Sequence, residues 1–190
     1  MATVQNVKIV NYPHPALRVK AKPVTTIDRD LKLLAGRMLE LMYEHKGLGL
    51  AGPQVASDLQ IIVMNFEGDP DKPEQECFAI NPVIIEQKGG LEEDREGCLS
   101  FPQLFQKVRR YRTTTVRAYN LDGQPFEMTC SDLAARLWQH EIDHLHGILF
   151  IDKMSSLGRI ASRAALRQFE EAFRKAQERG ELPKDLVAAK

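Results

Sequence analysis

The sequence predicts an α+β fold in which antiparallel strands pack around a central helix. Apolar residues recur at helical spacing near the beginning of the chain, and alternating or β-branched runs separated by turn residues occupy its middle. Helical spacing then returns twice towards the end. This order differs from the regular βαβ alternation of a parallel sheet and is typical of an α+β fold. A length of 190 residues suits one well-buried core, so we expect residues 1–190 to form a single catalytic domain.

The first predicted helix follows Asp28, which is a favourable N-cap residue. Its apolar positions recur at intervals of three and four residues: Leu31, Leu34, Ala35, Met38, Leu41 and Met42. The pattern ends before Gly47. Residues 1–24 contain three prolines, so we expect this segment to be mostly extended.

The middle of the chain contains four predicted strands: Leu59–Phe66, Phe78–Ile85, Val108–Tyr119 and Pro125–Thr129. Residues 67–76 are polar and contain two prolines, which predicts an exposed loop. The pair Gly89-Gly90 predicts a turn after the second strand, and Asp122-Gly123 predicts a hairpin turn between the last two.

Two further helices are predicted in the last third of the chain. The central helix, Ala134–His146, has Ser131 and Asp132 as N-cap candidates and Gly147 as its stop. A long amphipathic helix over Ser156–Arg179 follows, so that residues 156–190 comprise a terminal helix and tail. Its basic residues alternate with glutamates, which by default indicates a solvated face.

The central helix contains the pattern H-E-x-x-H at His140, Glu141 and His144. On a helix the two histidines differ by roughly 40° in direction, so both imidazoles can reach one cation while Glu141 stands beside them. The same spacing also occurs by accident on surface helices. The remaining ligands must therefore decide whether this is a metal site.

A catalytic metal site generally needs a third protein ligand, and the sequence offers several candidates. Metzincin endopeptidases place a histidine ten residues after the first one, but that position is Phe150. Glu170 and Glu171 lie among other charges on the terminal helix, and His146 points to another side of the central helix. Cys98 would complete a thiolate–imidazole site that suits zinc, iron(II) or nickel.

The glycine-rich segment Gly47–Val55 follows the first helix and cannot continue it. Its exposed backbone groups could bind an extended peptide or a phosphate, although a plain turn between helix and strand is the simpler interpretation. The phosphate alternative lacks the G-K-[ST] ending. Near a metal, the neutral amide of Gln54 could donate a hydrogen bond to a developing oxyanion.

The overall charge is balanced, with 26 basic and 26 acidic residues, and does not favour nucleic acid or an anionic membrane. We therefore expect neither specific DNA binding nor membrane insertion. The apolar runs are too short for a membrane span, and the first residues lack the pattern of a signal peptide, so we expect a cytoplasmic protein. Three cysteines at wide spacings, Cys77, Cys98 and Cys130, argue against a disulfide framework.

Three motifs together resemble those of the peptide deformylase family: Gly-Leu-Gly-Leu-Ala-Gly-Pro-Gln, Glu-Gly-Cys-Leu-Ser and Gln-His-Glu-x-x-His, in this order. The resemblance implies that Cys98, His140 and His144 bind a divalent metal, with Fe(II) as the native ion and zinc or nickel able to replace it. It also implies hydrolysis of the N-formyl group from the initiator methionine of nascent chains, with release of formate.

The resemblance also assigns roles to residues outside the metal ligands. Glu141 corresponds to the proton acceptor, and the Gln54 amide together with the backbone N–H of Leu99 would stabilise the oxyanion. We expect substrate contacts from Leu48, Gly49, Glu96 and Leu99. Backbone around Gly49 would pair with the extended peptide as an added strand.

Two positions, Gly52 and Arg136, depart from the pattern of the family. The first motif usually has alanine where this chain has Gly52, and the extra freedom is expected to loosen Gln54. Arg136, one turn before His140, is expected either to alter the methionine pocket or to extend outward.

Basic residues recur at four-residue spacing on the terminal helix, at Arg159, Arg163 and Arg167, and we expect them to contact the ribosome. Two other functions are alternatives to deformylation: the chain could be an endopeptidase, or a non-catalytic protein that binds a metal or a nascent peptide.

Overall fold

The computed structural model describes residues 7–182 and residue 188. This part of the chain forms one antiparallel sheet in the order β1-β2-β3-β4-β5. Its strands are β1 (Gly49–Ala51), β2 (Ile61–Asn65), β3 (Glu76–Cys98), β4 (Phe101–Tyr119) and β5 (Pro125–Ser131). The helices are α1 (Arg29–Glu44), α2 (Asp132–Leu145) and α3 (Ser156–Glu178). The predicted α+β class is confirmed, with α1 before the strands and α2 and α3 after them. Strand β1 is not among the predicted strands, because it lies in the glycine-rich segment interpreted as a turn, and β3 extends well beyond the predicted Phe78–Ile85.

Helix α1 begins and helix α2 ends at capping residues that the sequence contains, whereas Ser131 at the start of α2 makes no side-chain capping bond. The Asp28 carboxylate accepts a hydrogen bond of 2.9 Å from the Leu31 N–H and begins α1. Gly147, with φ 69°, ends α2 by donating its N–H to the His144 carbonyl at 3.1 Å. Local capping chemistry thus determines where the central helix ends.

The predicted turn at Gly89-Gly90 is wrong, because β3 continues through both glycines. Their φ angles of 81° and 76° produce a β-bulge, with a register shift relative to β4 between Lys88 and Leu91. The neighbouring strand β4 offers a continuous ladder of hydrogen-bonding groups on either side of the bulge. Long-range strand pairing therefore overrides the local turn preference of the two glycines.

Strand β2 is buried on both faces and separates two helices. Ile62 and Met64 belong to the same core cluster as Trp138 and Ile142 of α2. The opposite face of the strand packs in a second cluster that is formed largely by α1. This explains the uninterrupted apolar run in the β2 sequence. It also holds the central helix beside the sheet, with its histidine-bearing turns near the end of β3.

Helix α3 covers a third cluster through a few aromatic contacts. Phe169 packs edge-on against Phe101, with ring centroids 5.8 Å apart, and Phe150 contacts the same ring at 5.1 Å. Most other α3 side chains are exposed. Expected structure at residues 1–6 and in the tail at 183–187 and 189–190 lies outside the described residues. No helix in the described part of the chain has the length and apolar character needed to cross a membrane.

Candidate active site

His140 and His144 project from neighbouring turns of α2 towards Cys98, the last residue of β3. The Cys98 Sγ lies 3.3 Å from the His144 Nε2, and the two imidazole centroids are 4.9 Å apart. One candidate ligand atom from each of the three residues lies within 4.8 Å of the others. The structure therefore brings together the three side chains that the sequence suggested as metal ligands.

The geometry and chemistry of this cluster fit a transition-metal ion. A thiolate and two imidazoles are suitable ligands for zinc or iron(II). Two ligands of one tetrahedral ion are separated by roughly 3.5 Å, which is close to the observed sulfur–nitrogen distance. The His140 Nδ1 lies 3.1 Å from the Glu96 carboxylate, so its Nε2 remains available for a metal.

The other candidate ligands do not belong to this cluster. His146 is exposed, and its Nδ1 lies 2.9 Å from the Ile142 carbonyl oxygen. Glu170 and Glu171 are exposed on α3, where Glu170 accepts a hydrogen bond of 3.4 Å from the Tyr12 hydroxyl. Of the candidate third ligands, Cys98 is the one that the described structure brings beside His140 and His144, at the end of β3.

Glu141 is buried beside the ligand cluster. A methyl group at Gly49 would lie 2.7 Å from its Oε1, so the bare backbone of Gly49 makes room for this carboxylate. Its Oε2 has no hydrogen-bond partner among the described residues. Burial raises the pKa of Glu141 to about 7, although the nearby His140 partly opposes this shift. A carboxyl group with this pKa can accept and return a proton near neutral pH.

The amide of Gln54 is held in one orientation by the backbone. Its Oε1 accepts a hydrogen bond of 2.8 Å from the Ala51 N–H, so its NH₂ group must face the other way. The Nε2 lies 3.4 Å from the Cys98 Sγ and 3.5 Å from the Ser100 hydroxyl. The NH₂ group of Gln54 therefore points into the site beside the Cys98 sulfur.

A buried ionic network lies behind His140. Arg110 donates to the Glu96 carboxylate through Nε at 2.8 Å and Nη2 at 2.9 Å, and it also pairs with Asp143. Burial opposes ionisation of Glu96, but the bonds from His140 and Arg110 outweigh it and hold the pKa of this carboxyl well below its usual range. Arg110 holds the Glu96 carboxylate in place, and this carboxylate in turn orients the His140 ring through Nδ1.

Arg136 does not extend outward. It is 7% exposed, and its Nη1 donates to Glu96 at 2.7 Å and to the Val108 carbonyl at 2.8 Å. Its Nη2 donates to the Glu92 carbonyl at 3.0 Å. The guanidinium is therefore a second partner for Glu96 in the wall of the site.

A cavity of about 520 Å³ opens in front of these groups. The residues expected to contact substrate, Leu48, Gly49, Glu96 and Leu99, all line it. Further apolar walls come from Phe105, Leu133 and Leu137. Strand β1 is an edge strand of the sheet, so its backbone at Gly49 stands where an extended peptide could pair.

The family comparison agrees with this arrangement. A sequence model of the polypeptide deformylase family matches residues 6–159. The chain belongs to the peptide deformylase family. A peptide deformylase of Acidobacterium capsulatum is 45% identical over 166 residues, which span 86% of this chain and 95% of the relative. A peptide deformylase of Nitrosococcus oceani is 43% identical over 162 residues, which span 84% of this chain and 95% of the relative.

Solved deformylase structures are similar to this fold along most of the chain. The Plasmodium falciparum peptide deformylase has a TM-score of 0.85 and 39% identity, covering 88% of this chain and 98% of that one. A plant peptide deformylase has a TM-score of 0.87 and 37% identity, covering 96% and 97%. Peptide deformylases are metal-dependent hydrolases that remove the N-formyl group from nascent polypeptides, and this chain has that activity.

The sequence predicts that Gly52 loosens the placement of Gln54, but the structure gives this glycine a packing role. An added methyl group would lie 2.5 Å from the Leu59 carbonyl oxygen and 3.2 Å from the Ile61 Cγ2. Glycine is therefore required here by the close approach of the chain that enters β2. Gln54 lies in the same 3₁₀ turn, Gly52–Val55, and its side chain is buried.

Arg110 and Asp143 complete the network around Glu96 and were not predicted from the sequence. Strand alternation carries a usable signal for Arg110, because buried Val108, Thr114 and Val116 stand on the same face of β4. A charged residue on a buried strand face needs a buried partner. Asp143 carries no comparable signal, since it stands among polar residues of α2.

Proposed function

We propose that this deformylase binds its metal through Cys98, His140 and His144 and that Glu141 carries the proton during hydrolysis. The observation that supports this most strongly is the buried Glu141 carboxyl, whose Oε2 has no partner among the described residues, beside the Cys98 sulfur and two imidazoles. A divalent metal held by these three residues would lower the pKa of a water molecule and polarise the formyl carbonyl.

In this mechanism Glu141 accepts a proton from the attacking water and returns it to the leaving amine. The fixed Gln54 amide and the backbone N–H of Leu99 donate hydrogen bonds to the developing oxyanion. Leu99 lies in the short turn between β3 and β4, next to the Cys98 ligand. The Gln54 amide is oriented by the Ala51 N–H before substrate arrives, so this donor needs little reorganisation during the reaction.

The formylated peptide pairs with the edge of β1 around Gly49, and its methionine side chain enters the apolar part of the cavity. Leu48 and Leu99, which line the cavity next to Gly49 and Cys98 in the sequence, contact the peptide there. Glu96 acts through His140, since its carboxylate is engaged by two arginines. We assign it a positioning role.

We propose Fe(II) as the native metal, with zinc and nickel able to occupy the same site. The mixed thiolate–imidazole donor set and the family resemblance support this. Metal analysis of protein purified without oxygen tests which metal is bound. Iron near one equivalent is expected, and stoichiometric zinc from iron-replete cells contradicts the proposal of Fe(II).

We also propose that a single catalytic domain acts in the cytoplasm, where formylated nascent chains are made.

Formate release from formyl-Met-Ala-Ser tests the proposed roles. Glu141→Gln should lower kcat by about 10²- to 10⁴-fold while the bound metal stays near one equivalent. Glu171→Gln, which removes an exposed carboxylate on α3, serves as the matched control. Cys98→Ala should lose the metal. A Glu141→Gln enzyme of near-normal rate, or full metal occupancy in Cys98→Ala, contradicts the assignment.

We further propose that α3 contacts ribosomal RNA through Arg159, Arg163 and Arg167. Arg163 and Arg167 are exposed and make no ion pair with described residues, and the spacing places all three on one helix face. Replacing Arg163 and Arg167 by glutamine should weaken ribosome co-sedimentation and reduce its salt slope by about two. The same change at Arg112 and Arg117 of β4 is the control. Equal binding by both double variants contradicts the proposal.

A further inference from the structure

Two cationic side chains stand at the mouth of the active-site cavity. Lys46 follows α1, and Arg95 lies near the end of β3, so the two come from different elements. Both are exposed, and both line the same cavity as Glu141 and Gln54. They therefore stand beside any peptide that enters or leaves the site.

Neither cation is neutralised by a carboxylate among the described residues. The guanidinium of Arg95 lies over the Phe105 ring, 5.4 Å from its centroid. Asp94 accepts from the Arg95 backbone N–H at 2.7 Å, and Glu93 approaches Lys107 at 3.9 Å. The stacking on Phe105 holds the guanidinium plane while its N–H groups remain available to a ligand.

The nearest acid to Lys46 along the chain is also engaged elsewhere. Glu44 pairs with Arg37 at 2.9 Å on the surface of α1. The two carboxylates that line the cavity, Glu96 and Glu141, are both buried in its interior. The mouth therefore has an uncompensated positive charge, although the chain as a whole is neutral.

We propose that Arg95 and Lys46 make this deformylase prefer nascent chains with an acidic side chain at the first or second residue after formylmethionine. The inference rests on the proposed function, in which the methionine side chain occupies the interior of the cavity. The residues that follow methionine must then pass the mouth. A carboxylate there can accept hydrogen bonds from the Arg95 guanidinium and lies in the field of Lys46.

Two pairs of C-terminally amidated peptides test the preference, because the side chain is then their only carboxylate. The pairs are formyl-Met-Glu-Ala with formyl-Met-Gln-Ala, and formyl-Met-Ala-Glu with formyl-Met-Ala-Gln. At low salt, kcat/KM should favour the acidic member of at least one pair by about 2- to 5-fold, mainly through KM. The ratio should approach one as salt is added.

Variants assign the preference to the two cations. Arg95→Gln should reduce the Glu/Gln ratio of kcat/KM, Lys46→Gln should reduce it further in combination, and Arg95→Glu should lower it below one. Arg109→Gln, an exposed arginine of the same hairpin outside the cavity lining, should retain the wild-type ratio. A ratio of one in the wild type, or one unchanged in the Arg95/Lys46 double variant, overturns the proposal.

This result is separable from the hydrolytic mechanism. Equal rates on all peptides contradict only the preference, whereas no formate from any peptide contradicts the proposed function. In the second case, dissociation constants of the same peptides for the metal-loaded protein still report the selectivity. Equal binding of acidic and neutral peptides would then reject it.

Discussion

Gly52→Ala restores the residue that the first deformylase motif usually contains, yet it should destabilise this protein. The added methyl group would lie 2.5 Å from the Leu59 carbonyl oxygen and 3.2 Å from the Ile61 Cγ2. The first of these atoms belongs to the backbone at the entry to β2, so it cannot move aside by a change of rotamer. The turn Gly52–Val55 or the β2 entry must shift instead.

The expected loss of stability is the difference between two effects. Overpacking a buried site costs about 1–3 kcal/mol, whereas replacing glycine by alanine stabilises by about 0.4–1 kcal/mol through the unfolded chain. A net loss of about 1–2 kcal/mol in the free energy of unfolding follows. For a protein of this size, that lowers Tm by roughly 2–8 °C. Because Gln54 lies in the same turn, kcat should fall as well.

Urea unfolding of the metal-loaded protein, with formate release measured on the same preparation, checks this prediction. Gly36→Ala is the matched control, because Gly36 is exposed in α1 and an added methyl group there contacts nothing within 4 Å. It should raise stability by about 0.5–1 kcal/mol. If Gly52→Ala equals or exceeds the wild type in both stability and kcat, the close approach to Leu59 does not explain the glycine.

Three further changes and one labelling experiment test other parts of the structure. Gly147→Ala places a methyl group 2.5 Å from the Arg18 carbonyl oxygen at φ 69° and should cost at least about 2 kcal/mol in unfolding free energy; a loss below 1 kcal/mol contradicts the close packing. Glu96→Gln leaves two buried guanidinium groups without their carboxylate and should cost about 3 kcal/mol by urea unfolding; an unchanged midpoint would show that the network contributes little. Burial alone would raise the pKa of Asp152, but the hydrogen bonds from Arg18 outweigh burial, so the pKa in the folded protein is lower than the ordinary value. The ionised Asp152 therefore stabilises the fold at any pH above the ordinary carboxyl pKa. This stabilisation is lost as the pH falls through the lower pKa of the folded protein. The stability gap between wild type and Asp152→Asn should therefore narrow as pH falls from 5; a constant gap refutes this linkage. Burial raises the pKa of Cys77 to about 12, so a maleimide at neutral pH should leave it unmodified until the protein unfolds, as read by mass spectrometry of its peptide; rapid labelling in the folded state contradicts the burial.

Much of the fold is predictable because it depends on local chemistry. The N-cap at Asp28 and the helix stop at Gly147 occur where the sequence places those residue types. The apolar run of β2 and the helical spacing of the apolar residues in α2 likewise predict which parts of these elements are buried. The turn expected at Gly89-Gly90 is wrong because a glycine pair suits a turn and a bulge equally, and the choice depends on the partner strand.

For the active site, the spacing of His140, Glu141 and His144 by itself determined that two imidazoles and a carboxylate share one region of a helix. The family resemblance pointed to Cys98 and Gln54. Only the tertiary structure decided how these groups are held: Gln54 by the Ala51 N–H and His140 by the Glu96 carboxylate.

The tertiary structure also decided what the two unusual positions do. Gly52 accommodates a close backbone approach from Leu59, and Arg136 turns inward to pair with Glu96. Neither result follows from helix period or residue type, because both depend on atoms brought close from distant parts of the chain. Sequence patterns determine which side chains a helix or strand presents, whereas the packing of elements against one another determines what those side chains meet.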